Sequence, residues 1–392
     1  ILKDLAPFVP ALSRFEEPLD LNLVFSGHGK HLDCPTLRLT NHHGLMIAGE
    51  AALSNWDAGM DMYIYGKLGN LTMTKEGINV LMTNLTGKVP PILQRLDYIR
   101  FNGEAAGYLH DLTLTGLFHT GAGMVKTDVM MSIDEQSMSR TYSGSVASAD
   151  LDLGKLLNQE KKFGKVDFNV ELKGFNYKNR YPESYIKGII SSFEYSQYQY
   201  ENIMLDGVYK DGGFNGRLSM DDANGSVQID GNFNVAKTIP DFNLKASVKN
   251  LRPHDLHLSD KYENASISLG LTADFTGKSI DDMNGRISLD SLQLNAPDEG
   301  GCFLDNLTIT AGQVSGEKEL RINSSFMTAV IRGDYSYHTI PASVVKTVQR
   351  YIPSLLTIKD NMPEPHNNFQ FDICLENTEV LSKLFQIPLE LY

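Results

Sequence analysis

Four stretches of this chain alternate apolar and polar residues with a period of two. They are Val166-Asp-Phe168-Asn-Val170-Glu-Leu172, Val227-Gln-Ile229-Asp-Gly-Asn-Phe233-Asn-Val235, Phe242-Asn-Leu244-Lys-Ala246-Ser-Val248 and Ile267-Ser-Leu269-Gly-Leu271-Thr-Ala273-Asp-Phe275. Successive side chains of a β-strand point to opposite faces, so each stretch predicts a strand with one oily and one wet side. Parallel sheets are covered on both faces and lose this alternation, which leaves antiparallel pairing. Roughly 21 strand candidates follow one another along the chain. A single sheet of that size would run about 100 Å across its strands. Open sheets rarely pass about ten strands without curling, splitting or closing, so the oily face has to be dealt with.

Turns and glycines fill in the picture. Asp221-Asp-Ala-Asn224-Gly225 and Asp281-Asp-Met-Asn284-Gly285 share a D-D-x-N-G pattern, read as tight hairpins with two positive-φ positions supplied by Asn-Gly. Gly49, Gly66, Gly103, Gly116, Gly174, Gly207 and Gly231 fall within or at the ends of strand candidates and mark bends or bulges, hence a curved sheet. Helix-like spacing occurs at Lys3 to Phe15, Lys155 to Lys162, Ala342 to Leu356 and Thr378 to Phe385, with one more short helix after Pro90-Pro91, near 90–98. Pro341 suits a first helical turn. The expected fold is therefore all-β, a long curved antiparallel sheet with a few short helices. Three segments are expected: a sheet segment with short helices at 1–160, a segment of hairpins at 161–340, and a helical and strand closing segment at 341–392. The helices are too few to cover the whole sheet; they either plug it locally or gate an open groove.

Composition removes several classes. Among 392 residues, 48 Asp and Glu outnumber 35 Lys and Arg for a net charge of −13, which repels nucleic-acid phosphates and anionic membrane surfaces. No run approaches about 18 apolar residues, so no membrane-spanning helix is expected. The chain opens at Ile1 inside an amphipathic stretch and reads as a piece of a longer protein, any anchor lying outside it. Cysteines at 34, 302 and 374 make no disulfide framework.

Catalytic and metal signatures are missing from the pattern. His28, His31, His42 and His43 straddle a loop rich in Gly and Asp, and His254 and His257 flank Asp255; neither group has the spacing of converging zinc ligands. Counting twelve from Asp221 or Asp281 gives Asn232 or Leu292 where a calcium loop needs Glu. Thr276-Gly277-Lys278-Ser279 resembles the tail of a phosphate-binding loop, but position 272 is Thr where the first Gly belongs. The reading is of a protein without cofactor or metal, and not an enzyme.

Two stretches resemble a known family. Asp150-Leu-Asp-Leu-Gly154-Lys-Leu-Leu157 leads into Phe163-Gly164 and on to Gly174. Tyr198-Gln-Tyr-Glu-Asn-Ile-Met-Leu-Asp-Gly207 is followed by Phe214 through Asp221 and Val227 through Gly231. Both resemble the TamB branch of the AsmA-like proteins, part of the translocation and assembly module of double-membrane bacteria. Tyr98 through Gly103, Gly107 through Leu112, and Phe242 through Leu256 fit the same style, so the resemblance covers most of residues 95 to 340. The family's N-terminal inner-membrane anchor and its C-terminal domain are not recognisable in the sequence.

The resemblance implies a U-shaped sheet, a β-taco, with an apolar inner face. It implies a periplasmic bridge, anchored in the inner membrane by a segment not present in this chain, that carries phospholipid between the inner and outer membranes. It also implies support of outer-membrane protein assembly beside an Omp85-type barrel. The partners so implied are phospholipid acyl chains and that barrel, with no nucleic acid. The candidate lining residues are Val166, Phe168, Val170, Leu172, Val227, Ile229, Phe233, Val235, Phe242, Leu244, Val248, Ile267, Leu269, Leu271 and Phe275. On alternation alone an ordinary core shared with a facing sheet is the favoured reading of these residues; the resemblance and the shortage of helix to cover the sheet bring in the groove. A transmembrane β-barrel is disfavoured because Tyr and Phe do not form girdles. A β-sandwich adhesin or carbohydrate-binding surface protein is the alternative.

Overall fold

The computed structural model describes residues 20–134, 136–137, 139–176, 183–260, 263–296, 301–337, 339–340, 343, 346–347, 350 and 367–376. Strands make up 68% of the chain, and the 21 strands among the described residues belong to one long open antiparallel sheet, not closed into a barrel. The chain divides into two compact units, 1–210 and 211–392.

The first unit holds β1 (Asp20–His28), β2 (His31–Thr40), β3 (Leu45–Ser54), β4 (Tyr63–Thr74), β5 (Tyr98–Tyr108), β6 (Asp111–Thr120), β7 (Gly123–Asp134), β8 (Ser139–Ala149), β9 (Leu151–Asp152), β10 (Phe163–Asn176), β11 (Glu183–Tyr195) and β12 (Tyr198–Lys210). Three helices join them: α1 (Lys75–Thr86), α2 (Pro91–Gln94) and α3 (Leu153–Leu157). Each strand pairs with its neighbour in sequence, except that β8 reaches past the two-residue β9 to pair with β10. The second unit is a meander of β13 (Gly213–Asp222), β14 (Gly225–Asn234), β15 (Asp241–Leu251), β16 (Ser266–Thr276), β17 (Asn284–Asn295), β18 (Cys302–Val314), β19 (Glu317–Ser324), β20 (Met327–Asp334) and β21 (Asn368–Leu375).

The segment boundaries expected at 160 and 340 fall inside these units. The β8–β10 and β9–β10 ladders tie together the chain on either side of residue 160. Ile340 packs with Ala311, Leu320 and Ile331, and β20 pairs with β21 across the second position. The helices also shift. The one expected at 155–162 is α3, started by Asp152, whose carboxylate accepts from Lys155 N at 2.8 Å, and ended by Asn158 at φ 58. The one near 90–98 is the single turn α2, since β5 begins at Tyr98. Lys3–Phe15, Thr378–Phe385 and most of Ala342–Leu356 lie outside the described residues.

Helix α1 was not foreseen. Thr74 caps it by accepting from Gly77 N at 3.2 Å, and Gly87 at φ 76 ends it in the left-handed conformation. Its apolar positions Ile78, Leu81 and Met82 fall on one side at spacings of three and four. The turns differ from expectation as well. At Asp222–Gly225 the loop is Ala223–Asn224, held by the Asp222 carboxylate accepting from Asn224 N at 2.8 Å, and only Gly225 has positive φ. Asn284–Gly285 already belongs to β17, after a short 3-10 turn over Ile280–Asp282. Among the described residues, the two-residue turns with both central φ positive are Ser196–Gln197 (50°, 66°), Asp211–Gly212 (50°, 76°) and Ser315–Gly316 (54°, 86°).

Candidate functional site

Directly paired residues share a face, so the registers trace each face across the sheet. In the second unit one row reads Phe214, Phe233, Phe242, Phe275, Gly285, Ala311, Leu320, Ile331, Phe371. Two residues along, the next reads Gly216, Gly231, Leu244, Ala273, Ile287, Ile309, Ile322, Ala329, Ile373. The opposite face carries Arg217, Asp230, Lys245, Thr272, Ser288, Thr308, Asn323 and Thr328 in one row. The first four rings of the apolar row form a ladder with centroids 5.7, 6.4 and 4.8 Å apart.

The first unit obeys the same rule with smaller residues. One apolar row runs Leu23, Leu37, Gly49, Leu68, Gly103, Gly116, Thr127, Val146, Val170, Gly188, Leu205. The polar face carries Glu50, Lys67, Glu104, Thr115, Asp128, Ser145, Glu171, Lys187 and Asp206 in register. Glycines here make room for rings lying on the sheet. A Cβ on Gly116 would come within 2.3 Å of the Phe101 ring, and one on Gly174 within 2.0 Å of the Tyr142 ring. The Tyr142 hydroxyl is hydrogen-bonded to Ser184 Oγ. Of the glycines expected to mark bulges, Gly49 borders one, between Ala48 and Gly49, while Gly103, Gly116 and Gly174 serve this close approach instead.

Each candidate lining residue can now be placed. Val166, Phe168, Val170 and Leu172 lie on β10 with the apolar face of the first unit, and Val227, Ile229, Phe233, Phe242, Leu244, Val248, Ile267, Leu269, Leu271 and Phe275 on that of the second. Val235 does not join them. β14 stops at Asn234, whose side-chain oxygen accepts from Ala236 N and Lys237 N at 3.0 and 3.2 Å; this turns the chain and leaves Val235 58% exposed. Val166 is buried at 5%, and the remaining thirteen are neither buried nor exposed but between the two. A core under a facing sheet would bury them; a solvated surface would not carry them in unbroken rows. The sequence missed Ile287, Leu289, Leu307 and Ile309, although Arg-Ile287-Ser-Leu289-Asp alternates as clearly as the stretches chosen.

Closure is local. In the first unit Ile78, Leu96, Ile99 and Ala122 are buried together, with Met82 of α1, Leu93 of α2 and Leu156 of α3 packed on them. Lys155 Nζ fastens this cap, bonding Asp97 Oδ2 at 2.6 Å and Gly121 O at 2.9 Å, and holds the Asp97 carboxyl below its usual range. In the second unit the buried groups are small: Ala311, Leu320, Ile331, Tyr335 and Ile340; Ala265, Leu294, Ala296 and Cys302; Leu304 and Phe326.

The polar faces hold the charges and also the clearest hollows. A trough of about 970 Å³ is lined by Thr272, Asp274, Arg286, Ser288, Asp290, Thr310 and Glu319, among others. A second, of about 530 Å³, is lined by Thr113, Asp128, Ser143, Glu171, Lys173 and Tyr185 among others. Glu319 accepts from Arg332 Nε at 2.6 Å and Arg321 Nη2 at 3.0 Å, and the two guanidiniums hold its carboxyl below the usual range. Among the described residues no cluster of His, Cys, Asp or Glu is arranged to hold a metal ion.

Comparison with protein-family models, with curated proteins and with solved structures finds no match to this chain.

Proposed function

We propose that this chain carries phospholipid along its apolar sheet face, as part of a periplasmic bridge between the inner and outer membranes. The observation that supports the reading is the apolar face carried in register across each unit, on which thirteen of the fifteen candidate side chains are neither buried nor fully exposed. Each acyl CH₂ taken out of water is worth about 0.8 kcal/mol, so a chain laid on such a row gains steadily with length. Apolar contact is non-directional, and an acyl chain can slide along a row without breaking specific bonds. The headgroup stays in water, and no cofactor or nucleophile is required. The resemblance noted above adds the periplasmic setting, an anchor supplied by another part of the protein, and support of outer-membrane protein assembly with an Omp85-type barrel as partner.

The test is native mass spectrometry of the chain exported to the periplasm of a double-membrane bacterium and purified without detergent. Adducts at phospholipid masses are expected, and Phe168→Asp and Leu271→Asp should remove them while the protein still folds. Bare protein, with no lipid in an organic extract, would overturn the reading. The trough over β16–β19 favours a second one, a surface protein that binds carbohydrate through its polar face. Retention on immobilised glycans, abolished by Arg286→Ala, would move the conclusion there.

A further inference from the structure

We propose that Lys318, Tyr335 and Tyr337 form a seat for an oxyanion, the phosphate or carboxylate head of an amphiphile whose tail lies on the apolar face of the second unit. The proposal rests on the lipid-carrying reading and adds to it where the head goes and what charge it bears.

Lys318 is a charge set into that face at its edge. It pairs with Gln313 and stands two residues before Leu320, so its stem lies on the apolar side, beside the Ser315–Gly316 turn. Its ammonium sits 4.6 Å from the centre of the Tyr335 ring and 4.3 Å from that of Tyr337, and donates to Tyr335 O at 2.9 Å. No carboxylate among the described residues makes an ion pair with it. Lysine has three N–H donors, so two remain for a ligand.

The second observation is independent. Tyr335 is 5% exposed; its hydroxyl and that of Tyr337, both fully buried, lie close to one another without reaching hydrogen-bonding geometry, and neither meets any other partner. The rings meet edge to face at 5.5 Å, and burial raises both phenol pKa values, so both hydroxyls keep their protons and are donors at neutral pH. Packing alone would be served as well by phenylalanine; a buried hydroxyl left unmet calls for an acceptor. The neighbouring negative charges are already answered. Glu319 is on the other face between Arg321 and Arg332, and Asp281 accepts from Ser336 Oγ at 2.8 Å and Tyr337 N at 2.5 Å. Phe369, whose ring meets that of Tyr335, and the exposed Phe371 next to it on the same face of β21 continue from the seat and would receive the tail.

The full chain is loaded from cyclodextrin with dioleoyl phosphatidic acid or with dioleoylglycerol, which shares the tails and lacks the phosphate, and bound lipid is counted by native mass spectrometry. The phosphate-bearing lipid should be held about tenfold more tightly. Lys318→Met should abolish that preference and leave dioleoylglycerol unchanged. Tyr335→Phe should weaken the preference while raising the Tm of the unloaded protein, because the unmet hydroxyl is gone; a purely structural role would lower Tm and leave the preference intact. Equal retention of both lipids by the wild type would overturn the seat and leave the groove standing. If neither lipid is retained, the groove reading falls, and titration with inorganic phosphate decides the seat: Lys318-dependent binding supports it with free phosphate as the source, and no binding overturns it.

Discussion

The two units apply one rule to different materials. Both are antiparallel meanders with one polar and one apolar face, but the first spends glycine where the second spends isoleucine, leucine and phenylalanine. In the first unit Phe101 lies over Gly103 and Gly116, and Tyr142 over Gly174, so the face is lined by rings laid flat. In the second unit four phenylalanines stand in a ladder from β13 to β16, and aliphatic side chains continue the rows to β21. The first unit closes one end of its face with α1, α2 and α3, while in the second Tyr335 and Ile340, which follow β20, pack with Ala311, Leu320 and Ile331. Alternation thus decides which face is apolar, and glycine placement decides its relief.

The largest effect should separate closed from open apolar surface. Ile78, 1% exposed on the inner side of α1, should cost about 4 kcal/mol or more on change to Asp, whereas Leu271→Asp on the open face should cost well under half as much. Urea unfolding of the two variants measures both, and equal losses would mean that the two surfaces do not differ. Next comes relief. Gly116→Ala drives a methyl into the Phe101 ring and should cost about 1–3 kcal/mol. Gly66→Ala meets nothing within 4 Å and should be neutral or slightly stabilising.

Turns give a smaller contrast. Gln197 occupies a left-handed position at φ 66 that the second unit gives to Gly316, so Gln197→Gly should raise stability by about 1 kcal/mol and Gly316→Gln should lower it by a similar amount. The smallest effect is electrostatic. The folded pKa of Glu319 lies below its unfolded value, so its contribution is present above about pH 4.3 and is lost as pH falls through the folded value. Glu319→Gln should therefore flatten the acid side of the stability profile of the second unit, read by fluorescence during an acid titration.

Much of this was legible in the sequence because β periodicity is local information. Val166 to Leu172 and Val227 to Phe275 carry their face assignment in their own spacing, and Val235 alone failed, since Asn234 ends its strand through side-chain bonds to the next turn. Helix α1 was missed because Ile78 and Met82 follow directly on the strand pattern of Leu71 and Met73, with only Thr74 marking the change. The Asn224-Gly225 turn differs because Asp222 offers the backbone a competing bond, and Asn284-Gly285 because the chain turns earlier, over Ile280–Asp282. The polar troughs and the Lys318 seat depend on residues from several strands or turns brought together, which no local spacing encodes.

Sequential pairing has a consequence for how such a chain can change over evolutionary time. In the second unit every ladder joins neighbours in the sequence, so a hairpin is a removable module. Deleting or duplicating two adjacent strands restores the direction of the chain, the side on which turns emerge and the face of every remaining residue. Each such event alters the width by about 10 Å. Loss of a single strand would reverse all that follows. Span is therefore a quantised trait, adjustable in hairpin steps by recombination, without redesign of a single packed contact elsewhere.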